Sequence, residues 1–167
     1  MTWAESQRVG MKFAVPEDWT VIDPKTLFEK GDKKAIADAA AAMNITADQL
    51  EQAAGQIDLM VFGAAENGFS PNVNVVPNGL KSLPSADALA AELKTIEADP
   101  GEGSEVTTPL GKAVLMPYTL QVGSTTVQGR SIVVGGPNGF ATITVSHTSG
   151  EGADEVTTSV LDTLAPL

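Results

Sequence analysis

The chain has no cysteine and only one histidine, His147, in 167 residues. Without cysteine it has no thiol nucleophile, no thiolate metal site and no disulfide. Without a second histidine or a cysteine, His147 cannot anchor a typical zinc site. Aromatic residues are also scarce, with two Trp, one Tyr and five Phe, so the core must be mainly aliphatic. These absences predict a protein with no cofactor and no metal site.

Basic residues are few, since ten Lys and Arg stand against 21 Asp and Glu, and the net charge is −11. Phosphate binding needs a cationic surface, so this charge argues against a nucleic-acid partner and against docking on an anionic membrane. No apolar run approaches the roughly 18 residues of a membrane span, so membrane insertion is not expected. The first ten residues lack the pattern of a signal peptide. Two localisations stay open: a cytoplasmic protein, or an exported protein whose leader has been removed.

Hydrophobic periodicity predicts a mixture of strands and helices along the whole chain. The clearest helix start is a capping box, in which Thr46 is followed three residues later by Gln49. The same Thr46 completes a formal glycosylation sequon that begins at Asn44. The predicted strands are residues 8–15, 20–22, 57–65, 71–76, 112–122, 126–134 and 140–147, and the predicted helices are residues 24–28, 32–43, 46–55, 85–96 and 154–164. Residues 98–104 are expected to form an acidic surface loop.

The order of these elements predicts the fold class. Consecutive strands joined by short turns favour an antiparallel sheet, and helices inserted at three points must cover its faces. We therefore expect an α+β fold, with an antiparallel sheet flanked by helices, rather than a doubly wound parallel fold. Pro117 inside a strand predicts an edge or a bulge, because proline lacks a ladder donor. No internal repeat and no long linker is present, so residues 1–167 are expected to form a single domain.

Two segments resemble a known family. The sequence Phe13-Ala14-Val15-Pro16-Glu17-Asp18-Trp19 is similar to the F-x-V-P-x-x-W entry of Mog1/PsbP-like domains. The later stretch that holds Gln128-Gly129-Arg130 and Phe140-Ala141-Thr142-Ile143-Thr144 is similar to the C-terminal hairpin of the actinobacterial LpqN-type lipoproteins. The resemblance implies a Mog1/PsbP-like α/β/α sandwich. In this fold we expect Trp19 to pack beneath the turn at Pro16 and to seal the edge of the core.

The resemblance also carries expectations about function. Relatives in the superfamily bind proteins, such as a small GTPase or photosystem subunits, or have no settled role, and no family active site exists to carry over. The chain departs from the lipoprotein members, which have a leader and a lipid-anchoring cysteine. Its Ala-rich block from Asp32 to Ala54 has no clear counterpart among them. The resemblance thus implies a non-catalytic domain that binds an unknown protein partner.

Catalytic constellations are not evident in the residues themselves. His147 could act as a general base beside Ser146 or Ser149, but such a pair needs an orienting carboxylate and a nucleophile held at a strained turn. Ser146 alternates to the opposite strand face from His147. Asp58 is the single acid expected on a semi-buried face, and it has no visible partner. We therefore predict that the protein is not an enzyme.

The sequence points to one candidate interaction surface and leaves one alternative open. The late strands are rich in Thr and nearly free of charge, which favours a contact surface around Phe140, Thr142 and Thr144, with Arg130 nearby. The alternative is a carrier domain for a small molecule or lipid. It requires an apolar cavity between the helices and the sheet that could take a small apolar ligand. An enzyme would require a cleft that gathers His147, Arg130 and carboxylates.

Overall fold

The computed structural model describes residues 1–43 and 45–167, so Asn44 of the predicted sequon lies outside the described residues. The predicted helices and strands occur in the predicted order, and four short strands add to them. The helices are α1 (Pro24–Lys30), α2 (Lys33–Ala42), α3 (Ala47–Ala54), α4 (Ala86–Thr95) and α5 (Gly150–Thr163). The strands are β1 (Thr2–Ser6), β2 (Met11–Val15), β3 (Thr20–Ile22), β4 (Leu59–Phe62), β5 (Asn72–Pro77), β6 (Asp99–Pro100), β7 (Ser104–Thr108), β8 (Gly111–Val122), β9 (Thr125–Gly136), β10 (Gly139–His147) and β11 (Ala165–Pro166).

The main sheet has the strand order β3-β4-β5-β10-β9-β8-β6, and β7 also pairs with β8. Every pairing in it is antiparallel. The predicted fold class, an α+β arrangement with an antiparallel sheet flanked by helices, is therefore confirmed. The dipeptide Gly123-Ser124 predicts a tight turn between β8 and β9, and the structure confirms it, because Gly123 has a φ of 62°, a conformation that suits glycine.

The N-terminus differs from the prediction of one strand over residues 8–15. It forms a hairpin of β1 and β2, and β11 adds to β2 as the third strand of a separate sheet. The chain reverses because Gly10 has a φ of 76° and donates its N–H to the carbonyl of Ser6 at 2.9 Å. A left-handed glycine ends a strand, so residues 8–10 belong to the turn.

The predicted loop over residues 98–104 is also wrong in part. Two short strands, β6 and β7, pair with β8 and form an edge of the main sheet. Pro117 lies between their two pairing regions, and its carbonyl accepts a hydrogen bond from the Gly101 N–H at 2.8 Å. The N–H and C=O of a strand residue face the same side, so the missing donor of Pro117 faces the break between β6 and β7. Pro117 is therefore not on an edge strand as predicted, and β8 accommodates it because no neighbouring strand pairs with its donor side at this break.

Helix α5 begins four residues before the predicted start at 154. Ser149 is its N-cap, and the Ser149 hydroxyl accepts a hydrogen bond from the Gly152 N–H at 3.1 Å. Glycine has poor helix propensity, which is why Gly150 and Gly152 do not look helical in the sequence. The predicted capping box of α3 is confirmed, with Thr46 and Gln49 bonded reciprocally.

Hydrophobic clusters lie on both faces of the main sheet. One face packs against the three-stranded sheet and α5, and the other is covered by α4 over β8 and β9 and by α2 and α3 over β4. Trp19 packs against the first cluster, with its indole ring over Gly63, as predicted. Among the described residues, none of the helices has the length and apolar character needed to cross a membrane.

Candidate interaction surface

Strands β5 and β10 lie between the two groups of helices on one face of the main sheet. The helices cover their neighbours β4, β8 and β9, so the side chains of β5 and β10 on this face are only half-buried. Most of these side chains are uncharged amides or hydroxyls. We call this surface the polar strip, and it consists of Asn72, Asn74, Thr142, Thr144 and Ser146.

The register of the sheet places these side chains next to one another. Thr144 is paired with Asn74, and Ser146 is paired with Asn72. Paired residues of an antiparallel sheet share a face, and their Cβ atoms lie about 5 Å apart. The alternate positions of both strands, such as Val75 and Ile143, are fully buried on the other face. The polar strip is therefore the half-buried side of a sheet whose other side is packed in the core.

The hydrogen bonds of the strip leave some groups open to a partner. The Asn78 side-chain amide donates to the Thr142 hydroxyl at 3.1 Å, which fixes that hydroxyl. The Thr144 hydroxyl has no side-chain hydrogen bond among the residues that the structure describes. At one end of the strip Phe140 packs into the α4 cluster. The predicted Phe140, Thr142 and Thr144 thus share one face.

Arg130 lies on the opposite face of the sheet and does not join the other three predicted residues. It is paired with the core-facing Val145 of β10, and only 9% of its surface is exposed. The Arg130 Nε donates to the Asp154 Oδ1 at 2.8 Å, and its Nη1 donates to the Gly129 carbonyl at 2.8 Å. Its position is better explained by contacts that attach the first turn of α5 to the sheet.

Tyr118 lies on the same face as the polar strip. Burial raises the pKa of its hydroxyl above the ordinary value, and Ser146 and Arg130 oppose part of that shift. Because a buried neutral phenol resists ionisation, Tyr118 stays uncharged at physiological pH.

The ionisation of Tyr118 can be measured directly, because it is the only tyrosine of the chain. Free tyrosine ionises with a pKa of about 10. We expect the phenolate absorbance of Tyr118 near 295 nm to appear only at a higher pH than that. At a pH between the pKa of Tyr118 in the unfolded state and its higher pKa in the folded state, the unfolded chain has lost the phenol proton and the folded protein keeps it. The free energy of unfolding must therefore fall as the pH rises through this range. A Tyr118→Phe variant should lose this part of the alkaline destabilisation. Titration of the native protein at or below the free-tyrosine value would contradict the prediction.

His147 contacts the start of α5. Its Nδ1 lies 3.1 Å from the Ser149 N and 3.3 Å from the Ser149 Oγ, and the backbone N–H donates to the ring. The Ser149 hydroxyl also accepts from Gly152 as the helix cap, and the imidazole ring packs closely on Gly152. This arrangement is the capped N-terminus of α5 with an imidazole ring packed on it. His147 and Ser149 therefore both have structural partners.

A cavity of about 940 Å³ lies elsewhere, between the β1–β2 turn, α1 and α3. It is open to the surface, and its lining includes Arg8, Glu51 and Asp58. The carrier alternative predicted an apolar cavity between the helices and the sheet, whereas this cleft lies beside the β1–β2 turn and has charged side chains among its apolar ones.

Sequence reasoning missed Asn72 and Asn74 as part of the surface. The turn residues 66–68 predict that their strand pairs with β4, and it does. The second pairing, with β10, joins residues about 70 positions apart, and no local pattern indicates such a pairing. The alternation of Asn with the buried Val73 and Val75 was the available signal for a half-exposed face.

No family model matches the chain, and no curated protein matches it. Among solved structures, the chain is similar to the cyanobacterial PsbP protein CyanoP from Synechocystis sp. PCC 6803, with 13% identity and a TM-score of 0.58. That match covers 99% of this chain and 92% of CyanoP. Protein PA94 of Pseudomonas aeruginosa, whose function is unknown, matches over 62% of this chain and 81% of its own, with 16% identity and a TM-score of 0.47. The strand order, the helix layers and the likeness to CyanoP together identify the fold of this chain as PsbP-like.

Proposed function

We propose that the protein is a non-catalytic accessory domain that binds another protein through the polar strip. The observation that supports this proposal is the uncovered segment of β5 and β10 between the helix groups, with Thr144 near its middle. A PsbP-like fold accommodates this role, since an interaction surface on a rigid sheet requires no convergent catalytic groups.

The composition of the polar strip suits a protein contact. Charged residues are depleted at the centres of protein interfaces, because burying an unpaired charge is costly. The strip has no charged side chain, although the whole chain carries 31 of them. Hydroxyl and amide groups such as those of Thr144 and Asn74 can donate and accept hydrogen bonds, so a partner can pair with them in either direction.

A charge placed in the strip should abolish partner binding. We expect Thr144→Lys to weaken capture of the partner from a lysate of the source organism by about tenfold or more, because the new ammonium would be buried unpaired in the interface. Quantitative mass spectrometry of the captured proteins measures the effect. The matched control is Thr158→Lys, which makes the same change of charge at an exposed position of α5.

The comparison of the two variants decides the proposal. Proteins retained by the wild type and by Thr158→Lys, and lost by Thr144→Lys, would support the strip as the binding surface. Circular dichroism of both variants checks that the fold is intact. If Thr144→Lys captures the same proteins as the wild type, the surface is not the polar strip.

We further propose that residues 1–167 form one domain of the Mog1/PsbP-like superfamily and that the LpqN-type lipoproteins are its nearest group. The support is the motif from Phe13 to Trp19 together with the hairpin of β9 and β10. A leader with a lipid-anchoring cysteine upstream of this sequence in the gene would support the grouping and an exported protein. A cytoplasmic gene product without it would count against both.

The small-molecule alternative is favoured by one observation, the cleft beside α1 and α3. Four of its lining residues, among them Glu51 and Asp58, are acidic. Apolar lipid chains bind where charged groups are absent, so this cleft favours a polar ligand over a lipid.

A further inference from the structure

The open cavity of about 940 Å³ has a mixed lining that resembles a binding site more than a simple surface depression. Half-buried apolar side chains form part of its wall, namely Phe28 on α1, Ala54 on α3 and Ile57 after α3. Ligand sites commonly combine such an apolar wall with a few placed polar groups. We call this feature the α1–α3 cleft.

Asp58 is the most deeply placed polar group of the α1–α3 cleft. Only 9% of its surface is exposed. Its Oδ2 accepts a hydrogen bond from the Ser6 hydroxyl at 2.5 Å and another from the Arg8 N–H at 3.1 Å. Both donors are neutral, so they orient the carboxylate without cancelling its charge. The Arg8 guanidinium donates instead to the Gly55 carbonyl at 3.0 Å.

Glu51 supplies a second carboxylate on the wall that α3 contributes, and it is exposed. Within residues 1–43 and 45–167, neither Glu51 nor Asp58 takes part in a salt bridge. The cleft as a whole has four acidic and two basic lining residues. Its net negative charge, in a chain of net charge −11, attracts cations into the concave space.

The arrangement of the carboxylates favours an extended ligand over a compact metal ion. Among the described residues no three His, Cys, Asp or Glu side chains are placed to hold one metal ion. The carboxylates of Glu51 and Asp58 come from separate segments, and apolar side chains line the same space. A ligand with separated positive charges and an apolar spacer matches this lining better than a compact ion does.

We propose that the α1–α3 cleft binds a linear aliphatic diamine or polyamine. One ammonium group pairs with Asp58, a second pairs with Glu51, and the methylene chain lies against the apolar wall. Ammonium groups donate up to three hydrogen bonds each, so the free lone pairs of both carboxylates are satisfied. This site does not depend on the polar strip, and its failure would leave the proposed protein interaction untouched.

Calorimetric titration at low ionic strength tests the proposal, with putrescine as the probe. We expect saturable binding to the wild type and an approximately fivefold weaker affinity for Glu51→Gln, because an exposed ion pair contributes up to about that factor. Asp58→Asn should weaken binding by about tenfold or more, since its carboxylate is buried. The control is Glu155→Gln on α5, which makes the same change of charge outside the cleft and should leave the affinity within about twofold.

Three results would overturn the inference. They are the absence of saturable putrescine binding, an equal loss of affinity in Glu51→Gln and Glu155→Gln, and binding of Mg²⁺ as tight as that of putrescine. The last would mean that charge alone, without the methylene chain, accounts for the affinity. Thermal unfolding of Asp58→Asn shows whether that variant folds, and if it does not, the comparison of Glu51→Gln with Glu155→Gln decides the outcome.

Discussion

Replacing Gly129 by alanine should destabilise the protein by about 3 kcal/mol. Gly129 is buried in β9 and is paired with Tyr118 of β8. The phenol ring lies directly over the glycine, and a Cβ at this position would overlap the ring atoms. Tyr118 is itself held in the α4 cluster, so the ring cannot move aside without loss of packing. Urea unfolding followed by circular dichroism measures the change.

A double-mutant cycle separates the cost of the overlap between the new Cβ and the Tyr118 ring from any other cost of changing Gly129. In a Tyr118→Leu background the same Gly129→Ala change should cost about 2 kcal/mol less, because the flexible Leu side chain can turn away from the new methyl group. The control is Gly150→Ala at the start of α5, where the nearest atom to a Cβ is 3.8 Å away. That variant should unfold within about 0.5 kcal/mol of the wild type. Additive costs in the cycle would show that the ring is not the cause.

The Gly129 change also has a functional consequence. Gly129 is paired on its other side with Ser146, the last residue of the polar strip. A displaced Tyr118 ring would therefore move toward Ser146 and disturb that end of the strip. Gly129 leaves room for the Tyr118 ring beside Ser146, which links the local choice of glycine to the proposed interaction surface.

Sequence reasoning succeeded where the signals are local. The turn at Gly123 predicts the hairpin of β8 and β9, and the alternation from Phe140 to His147 predicts both faces of β10. Capping residues such as Thr46 locate helix starts to within a residue. In each case the residues that form the structure are neighbours in the chain, so their types alone carry the information.

The same reasoning failed where pairing is non-local. Strands β6 and β11 have two residues each, and they exist because strands elsewhere in the chain pair with them. Strand β11 joins β2 across about 150 residues, and its two residues have no periodicity of their own. The face of Arg130 was missed for a related reason. Arg130 was predicted to lie near Phe140, Thr142 and Thr144, but its place opposite Val145 in the ladder puts it on the other face.

The second large effect is expected from Gly136→Ala at the end of β9. A Cβ there would lie 2.7 Å from the carbonyl oxygen of Val9 and 2.7 Å from its Cγ1. Val9 belongs to the β1–β2 turn, and its carbonyl accepts a hydrogen bond from the Asn138 N–H at 3.1 Å. The backbone oxygen cannot rotate away as a side chain can, so the turn must separate from the β9–β10 hairpin. We expect a loss of about 3 kcal/mol, from overpacking together with a weakened hydrogen bond.

Gly135 provides a matched control one residue earlier in the same strand. The atoms nearest to a Cβ at Gly135 belong to the Phe140 ring, at 3.2 Å or more, and a side chain can shift slightly to relieve such a contact. Gly135→Ala should therefore cost less than about 1 kcal/mol. Hydrogen exchange locates the damage, because the Asn138 amide should lose protection in Gly136→Ala and keep it in Gly135→Ala. Equal destabilisation by the two variants, with Asn138 protected in both, would show that the two sheets do not depend on this close approach of Val9 to the hairpin.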